Sequence, residues 1–325
     1  MAEEIADDGT AADAPGDAVP APLPEHAWTE DPDYVRVYDV ENAGGWDHDF
    51  YAELIGELVG VSVDDGAWSG GPAEAVAAGG GGEHVLDPAH APHVADIGCG
   101  TGVLGLRLAA AGIRVTGVDP SRAMIDAAEA RTAASGLEEQ VTWHHGFADR
   151  LPTASADVVL MEGHVAQYFL ERSAWDEVLA HAHRALVPGG ALTFESRNPE
   201  GLELDVWDEE HTRETQEHPD GGTFDSWIEL VRVAGEQDVA GEQVEHPAGP
   251  EDGQDDGPLV THRGHMVLPD GRHVTTEETL RFRPLEVLRG SLERAGFVVE
   301  QLWGDWDSEE LDADSPEIIV LARKR

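Results

Sequence analysis

Lysine is almost absent from this chain. Lys324 is the only one, and the other basic residues are 19 arginines, set against 66 acids in 325 residues. The formal net charge of −46 excludes a surface built to neutralise phosphates, and with it ordinary nucleic-acid substrates. It also disfavours contact with anionic membranes. Cysteine is as scarce: Cys99 stands alone, so no intrachain disulfide can form. No apolar run approaches the roughly 20 residues that span a bilayer. The opening stretch, MAEEIADDGT, lacks the basic and apolar parts of an export signal. These absences predict a cytoplasmic protein that its own charge keeps in solution. The charge does not identify a substrate.

What is present is alternation of strand and helix. Apolar runs at His93–Ile97, Arg114–Val118, Val141–His145, Ala156–Met161 and Ala191–Ser196 read as strands. Helical patterns lie between them, at 102–111, 120–135, 164–170 and 174–186. Val187 to Gly190, VPGG, reads as the turn into the fifth strand. This order predicts an open, mostly parallel sheet with helices on both faces, whose ligands bind at the carboxyl ends of the strands. Helix Pro284–Ala295 and strands Phe297–Trp303 and Glu317–Ala322 complete it. Before that return, Thr223–Val233, Leu259–Leu268 and Arg272–Phe282 are strand-like, the last two joined by Pro-Asp-Gly, a hairpin signal.

The stretch with most information is Val94 to Gly105, VADIGCGTGVLG. A buried strand breaks into a glycine turn and then a helix, so backbone N–H groups and a partial positive charge face whatever approaches. Gly100, Gly102 and Gly105 satisfy the dinucleotide fingerprint G-x-G-x-x-G, a weak match by itself. Asp119 follows about twenty residues later at a strand end, where a carboxylate can accept ribose hydroxyls in either a dinucleotide or another nucleoside site. It can also cap the helix that begins near Ser121.

Asp96, Gly98, Gly100 and Gly102 together resemble motif I, D-x-G-x-G-x-G, of the class I S-adenosylmethionine (SAM)-dependent methyltransferases. The segments HHGFADRLP (His144–Pro152), MEGHVAQYFL (Met161–Leu170) and LVPGG with ALTFESRNP resemble the family's later motifs. The resemblance runs from about Tyr38 to the C-terminus. It implies an α/β, doubly wound, mostly parallel seven-stranded Rossmann-like sheet, with an N-terminal helical cap and a small antiparallel β insertion as lid. It divides the chain into a disordered acidic tail (1–27), the helical cap (28–61), a flexible Gly-rich linker (62–90), a SAM-binding core (91–200), an acidic loop plus antiparallel lid (201–283) and the C-terminal part of the core (284–325). Residues 200–257 carry 19 acids against Arg213 and Arg232, and 234–257 reads as the acidic loop.

The resemblance further implies that Asp96, Gly98, Cys99, Gly100, Asp119, Pro120, Met124, Phe147, Ala148, Asp149 and Glu162 bind the cofactor. Asp149 would hydrogen-bond the adenine amino group, with Phe147 and Ala148 flanking the ring. Met124 would pack on adenine or in the core. Tyr34, Tyr38 and Trp46 would cover the site or pack the cap. His164 is the first candidate for a general base, because its ordinary pKa sits near neutrality. Arg197 can hold a substrate carboxylate, Glu195 lies two residues before it, and the two can equally form a structural pair. No metal cluster is expected. The function implied is methyl transfer from SAM to a small molecule. The alternatives are an NAD-dependent oxidoreductase, which leaves Asp96 and Asp149 unexplained, and a non-catalytic SAM-binding or interaction protein.

Overall fold

The computed structural model describes residues 27–42, 45–63, 91–233 and 256–325. All but the last residue of the acidic tail, most of the Gly-rich linker and nearly all of the acidic loop lie outside the described residues. No described helix is long and apolar enough to cross a membrane.

Seven strands form the main sheet: β1 (His93–Ile97), β2 (Arg114–Asp119), β3 (Val141–His145), β4 (Ala156–Met161), β5 (Leu186–Arg197), β10 (Phe297–Trp303) and β11 (Glu317–Lys324). Their order is β10-β11-β5-β4-β1-β2-β3. Strands β1 to β5 run parallel, and β11 enters antiparallel between β5 and β10. The direction of winding reverses at β1, which pairs with both β2 and β4, so the cleft at their carboxyl ends is the switch point where such sheets bind ligands.

Period-two alternation sends successive side chains to opposite faces. Ala95, Ile97, Val159, Met161, Leu192 and Phe194 meet Trp175 and Leu179 of α5 (Arg172–Ala185) and Leu288 and Leu292 of α7 (Leu285–Arg294). Val94, Val158, Leu160 and Ile319 face the other way, against α2 (Trp46–Val59) and α3 (Val103–Ala110). Helix α4 (Arg122–Ser135) follows β2. The expected VPGG turn is instead a bulge within one long strand. Ala156 pairs with Leu186 and Val158 with Ala191, so four β5 residues oppose one on β4. Gly189 supplies the left-handed step, with φ of +78°, and lets the strand continue after the insertion.

The lid is a four-stranded antiparallel sheet in the order β6-β7-β8-β9: β6 (Glu214–Glu217), β7 (Thr223–Val233), β8 (Leu259–Val267) and β9 (His273–Arg281). The β8–β9 hairpin closes around Pro269-Asp270-Gly271, with Val267 opposite His273. Strand β6, ETQE, has no apolar alternation and escapes sequence reading. It is an exposed edge held by its pairing with β7. The short helix α6 (Glu209–Thr212) precedes it.

One helix joins the two sheets. Asp31 caps α1 (Pro32–Glu41) by accepting from the Asp33 N–H at 2.8 Å. On one side, Asp39 takes the Thr101 hydroxyl at 2.5 Å and pairs with Arg131, which fixes α1 over the glycine turn. On the other, Val37 packs with Phe224, Met266 and Leu268 of the lid, and Asp33 pairs with Arg272 at 2.6 Å.

Candidate active site

The glycine turn has the conformation its sequence requires. Gly98, Gly100 and Gly102 have φ of +80°, +50° and +77°, a region that side chains with a Cβ avoid. Gly105 serves packing: a Cβ there would lie 2.7 Å from the Trp143 ring, which rests on α3. Cys99 is buried among Gly117 and Trp143, and burial pushes its thiol pKa up, away from nucleophilic reactivity.

Three carboxylates stand at the strand ends. Asp119 is buried, with Oδ2 accepting from the Gly100 N–H at 3.0 Å and Oδ1 from the Ser121 N–H at 2.8 Å. The cap of α4 is Ser121, not Asp119: its hydroxyl accepts from the Met124 N–H at 3.1 Å. Asp96 is 4 % exposed and its Oδ1 has no hydrogen-bond partner among the described residues. Burial, with Glu162 and Asp119 nearby, holds its pKa well above the usual range. Glu162, also raised by burial, pairs with His48 of α2 at 3.0 Å. Burial opposes the charge on His48, but Glu162 overrides it and lifts the imidazole to about 9. Asp47, His48 and Glu162 are the one trio among the described residues whose potential metal-ligand atoms lie within 4.8 Å of one another, and two of the three form the His48–Glu162 ion pair. His48 was not legible in sequence because its partner is 114 positions away.

After β3, Phe147 is 67 % exposed and Ala148 is buried. Asp149 is exposed and makes no side-chain hydrogen bond or ion pair among the described residues, to Arg150 or any other. Met124 is buried in α4, and Pro120 lends its carbonyl to His145 Nε2 at 2.9 Å. Tyr38 crosses above the turn, 3.7 Å from where a Gly100 Cβ would stand. Trp46 is 74 % exposed.

A cavity of about 280 Å³ opens between α1, the turn after β4, the end of β5 and the inner face of the lid. It brings together His164, Gln167 and Arg197 of the core with Tyr34, Tyr38 and Glu41 of α1 and Trp227, His262 and Glu278 of the lid. Glu195 does not line it. That residue is fully buried, taking the Tyr51 hydroxyl and the His164 N–H at 2.5 Å each. No ion pair joins Glu195 to Arg197 among the described residues. Glu195 braces the sharp turn at Gly163 and His164, both left-handed at φ of +70° and +59°. His164 Nε2 lies 2.9 Å from Glu317, and burial, with Arg197 adding to it, lowers its pKa. Sequence reading missed Glu278. It accepts the Tyr168 hydroxyl at 2.7 Å, and burial raises its carboxyl to about 7.

Residues 94–190 match the family model described as a methyltransferase domain. A ubiquinone/menaquinone biosynthesis C-methyltransferase of Rubrivivax gelatinosus is 36% identical over 103 residues, which is 32% of this chain and 38% of that protein. The chain spans roughly two fifths of the length of the curated relatives it matches. Among solved structures, a SAM-dependent methyltransferase from Clostridium acetobutylicum superposes with a TM-score of 0.60 at 15% identity, covering 89% of this chain and 96% of the other. SAM-bound CalS10, an amino pentose methyltransferase from Micromonospora echinaspora, gives 0.54 at 16% identity, covering 89% and 97%. These structural likenesses establish the Rossmann-like methyltransferase fold.

Proposed function

We propose that this chain is a SAM-dependent methyltransferase acting on a small molecule. The observation that carries the reading is Asp96. Its buried Oδ1 lacks a donor beneath the glycine turn, inside the stretch that matches a methyltransferase domain. An unpartnered buried carboxylate suits a ligand that brings a cationic amino group, whereas a pyrophosphate would meet repulsion there. The dinucleotide alternative draws no support from the similar proteins.

In this reading Asp119 receives the ribose, Asp96 and the His48–Glu162 pair face the amino-acid end, and Phe147, Ala148 and Asp149 receive the adenine. Gly98, Cys99 and Gly100 let the backbone approach, Pro120 shapes the turn, and Met124 supports it from the helix. SAM, when bound, supplies a methyl already activated on a sulfonium. The residues therefore act mainly by positioning and by excluding water. Tyr38 lies over the turn and lines the cavity as well, so it forms the wall common to cofactor and acceptor. Where the acceptor must lose a proton, Glu278 is the base we assign: it opens on the cavity and titrates near neutrality. His164 then has a positioning role, tied as it is to Glu195 and Glu317.

Calorimetric titration with SAM, S-adenosylhomocysteine and NAD tests the reading. Micromolar binding of SAM and its product, lost in Asp119→Ala, is the expected result. Heat from NAD with none from SAM overturns it.

A further inference from the structure

Arginine is scarce in this molecule, and most of the arginines pair with a carboxylate. The described arginines that are not fully exposed all hold a carboxylate, a carbonyl or a hydroxyl, from Arg107 on Asp49 to Arg283 on Asp256 and Arg232 on Thr261. Arg197 is the exception. Its guanidinium is half-buried at the end of β5, makes no hydrogen bond or ion pair among the described residues, and faces the cavity. Its carbon lies 5.8 Å from the centre of the Trp207 ring, which fixes its direction without using its five N–H donors.

Two more open groups share that end of the cavity. Gln167 is fully buried, and its Oε1 accepts the Arg197 backbone N–H at 2.8 Å. That bond assigns the amide, and leaves Nε2 as a buried donor with no partner. His262, whose ring meets the edge of Trp207 at 5.5 Å, has an unpartnered buried Nδ1. Burial and the charge of Arg197 lower its pKa to about 4, so the ring is neutral and offers one N–H to a ligand. A half-buried cation without a counter-charge and an orphaned buried amide cost free energy unless a ligand completes them.

We propose that Arg197, Gln167 and His262 form an oxyanion subsite, so that the methyl acceptor carries a carboxylate or a phosphate. The inference rests on the methyl-transfer reading and narrows its acceptor. Glu278 and Glu41 line the same cavity and repel an anion, so it sits on the three donors and leaves the carboxyl groups to the nucleophile.

The test uses the full-length protein, SAM labelled on its methyl group, and a small-molecule extract of the source organism. The expected labelled product is retained on an anion exchanger at pH 7. Phosphatase releases a phosphorylated product from the column, and acid-catalysed esterification releases a carboxylated one. Arg197→Gln lowers incorporation at least thirtyfold, and Arg197→Lys less, while both keep native SAM affinity, which also certifies their fold. Labelled product that passes the exchanger unretained overturns the subsite and leaves methyl transfer standing. Bound SAM with no label transferred overturns the methyl-transfer reading, and this inference with it.

Discussion

At the strand ends of the seven-stranded sheet two of the three carboxyl groups are paired before any ligand arrives, and Asp96 keeps one oxygen unpartnered among the described residues. Asp119 has a backbone donor on each oxygen, and Glu162 has His48. Under the four-stranded sheet the reverse holds. Arg197, Gln167 Nε2, His262 Nδ1, Trp227 Nε1 and Glu41 Oε2 have no hydrogen-bond partner among the described residues around one cavity. Prepaired groups hold one geometry for one fixed ligand. Unpaired groups in a dry pocket gain most from a ligand that supplies what they lack, and so they discriminate between ligands. Under the proposed function, the contrast assigns cofactor recognition to the glycine turn and its neighbours, and acceptor choice to the lid and the end of β5.

The largest effect that can break this division is on cofactor binding. Asp119→Ala should weaken SAM binding by about 100-fold, the loss of two charge-assisted hydrogen bonds. Trp207→Ala, in the lid half, should leave that affinity within threefold. Equal losses in calorimetry would abolish the distinction. Next comes proton removal. Glu278→Gln should lower kcat by roughly 100-fold for an acceptor that must be deprotonated, and should flatten a rate that otherwise rises with pH through about 7. The same carboxyl has a stability signature of defined sign. Its folded pKa is raised from 4.5 to about 7, so the folded chain keeps a proton that the unfolded chain releases. Stability from this group is complete below pH 4.5, declines as pH rises to about 7, and is constant above that. The Gln variant should lose that decline in pH-dependent denaturant titrations.

A third prediction concerns the brace between the halves. Glu195→Ala strands the Tyr51 hydroxyl and the His164 N–H in the interior, at about 1–3 kcal/mol each. Urea unfolding should register roughly 2–6 kcal/mol of lost stability. Glu195→Gln keeps one acceptor and should lose less. Unchanged stability in both variants would show that the Gly163–His164 turn needs no brace.

The cofactor half was legible because its signals are local. Asp96 to Gly102 specify strand, turn and helix within a few residues, and Asp119 follows at a fixed distance along the next strand. Pro269-Asp270-Gly271 announced its hairpin for the same reason. The cavity was not legible, since its groups come from α1, β5, β7, β8 and β9, and only folding puts Glu278 beside Tyr168, 110 residues away. Glu195 misled for a physical reason. It lies near the end of a strand that points at the acceptor side, yet Tyr51 of α2 closes over it, and no pattern within β5 records that. The bulge at Val187–Gly190 carries the residues of a turn, but pairing on both sides with β4 makes it part of the strand.

The smallest expected effect is at Phe147. A ring that is 67 % exposed contributes little to folding, so its removal should leave the melting temperature unchanged. If its ring flanks the adenine, burial of part of the side chain is worth about 1–1.5 kcal/mol, or roughly tenfold in affinity. Phe147→Ala should therefore weaken SAM and S-adenosylhomocysteine alike, by up to that factor. Trp46→Ala is the matched control, because Trp46 is 74 % exposed but stands on the cap beside the His48–Glu162 pair. A loss confined to Phe147 sharpens the cofactor half to the loop after β3. A loss confined to Trp46 would instead move the base-covering surface onto α2, and redraw the boundary between the two halves.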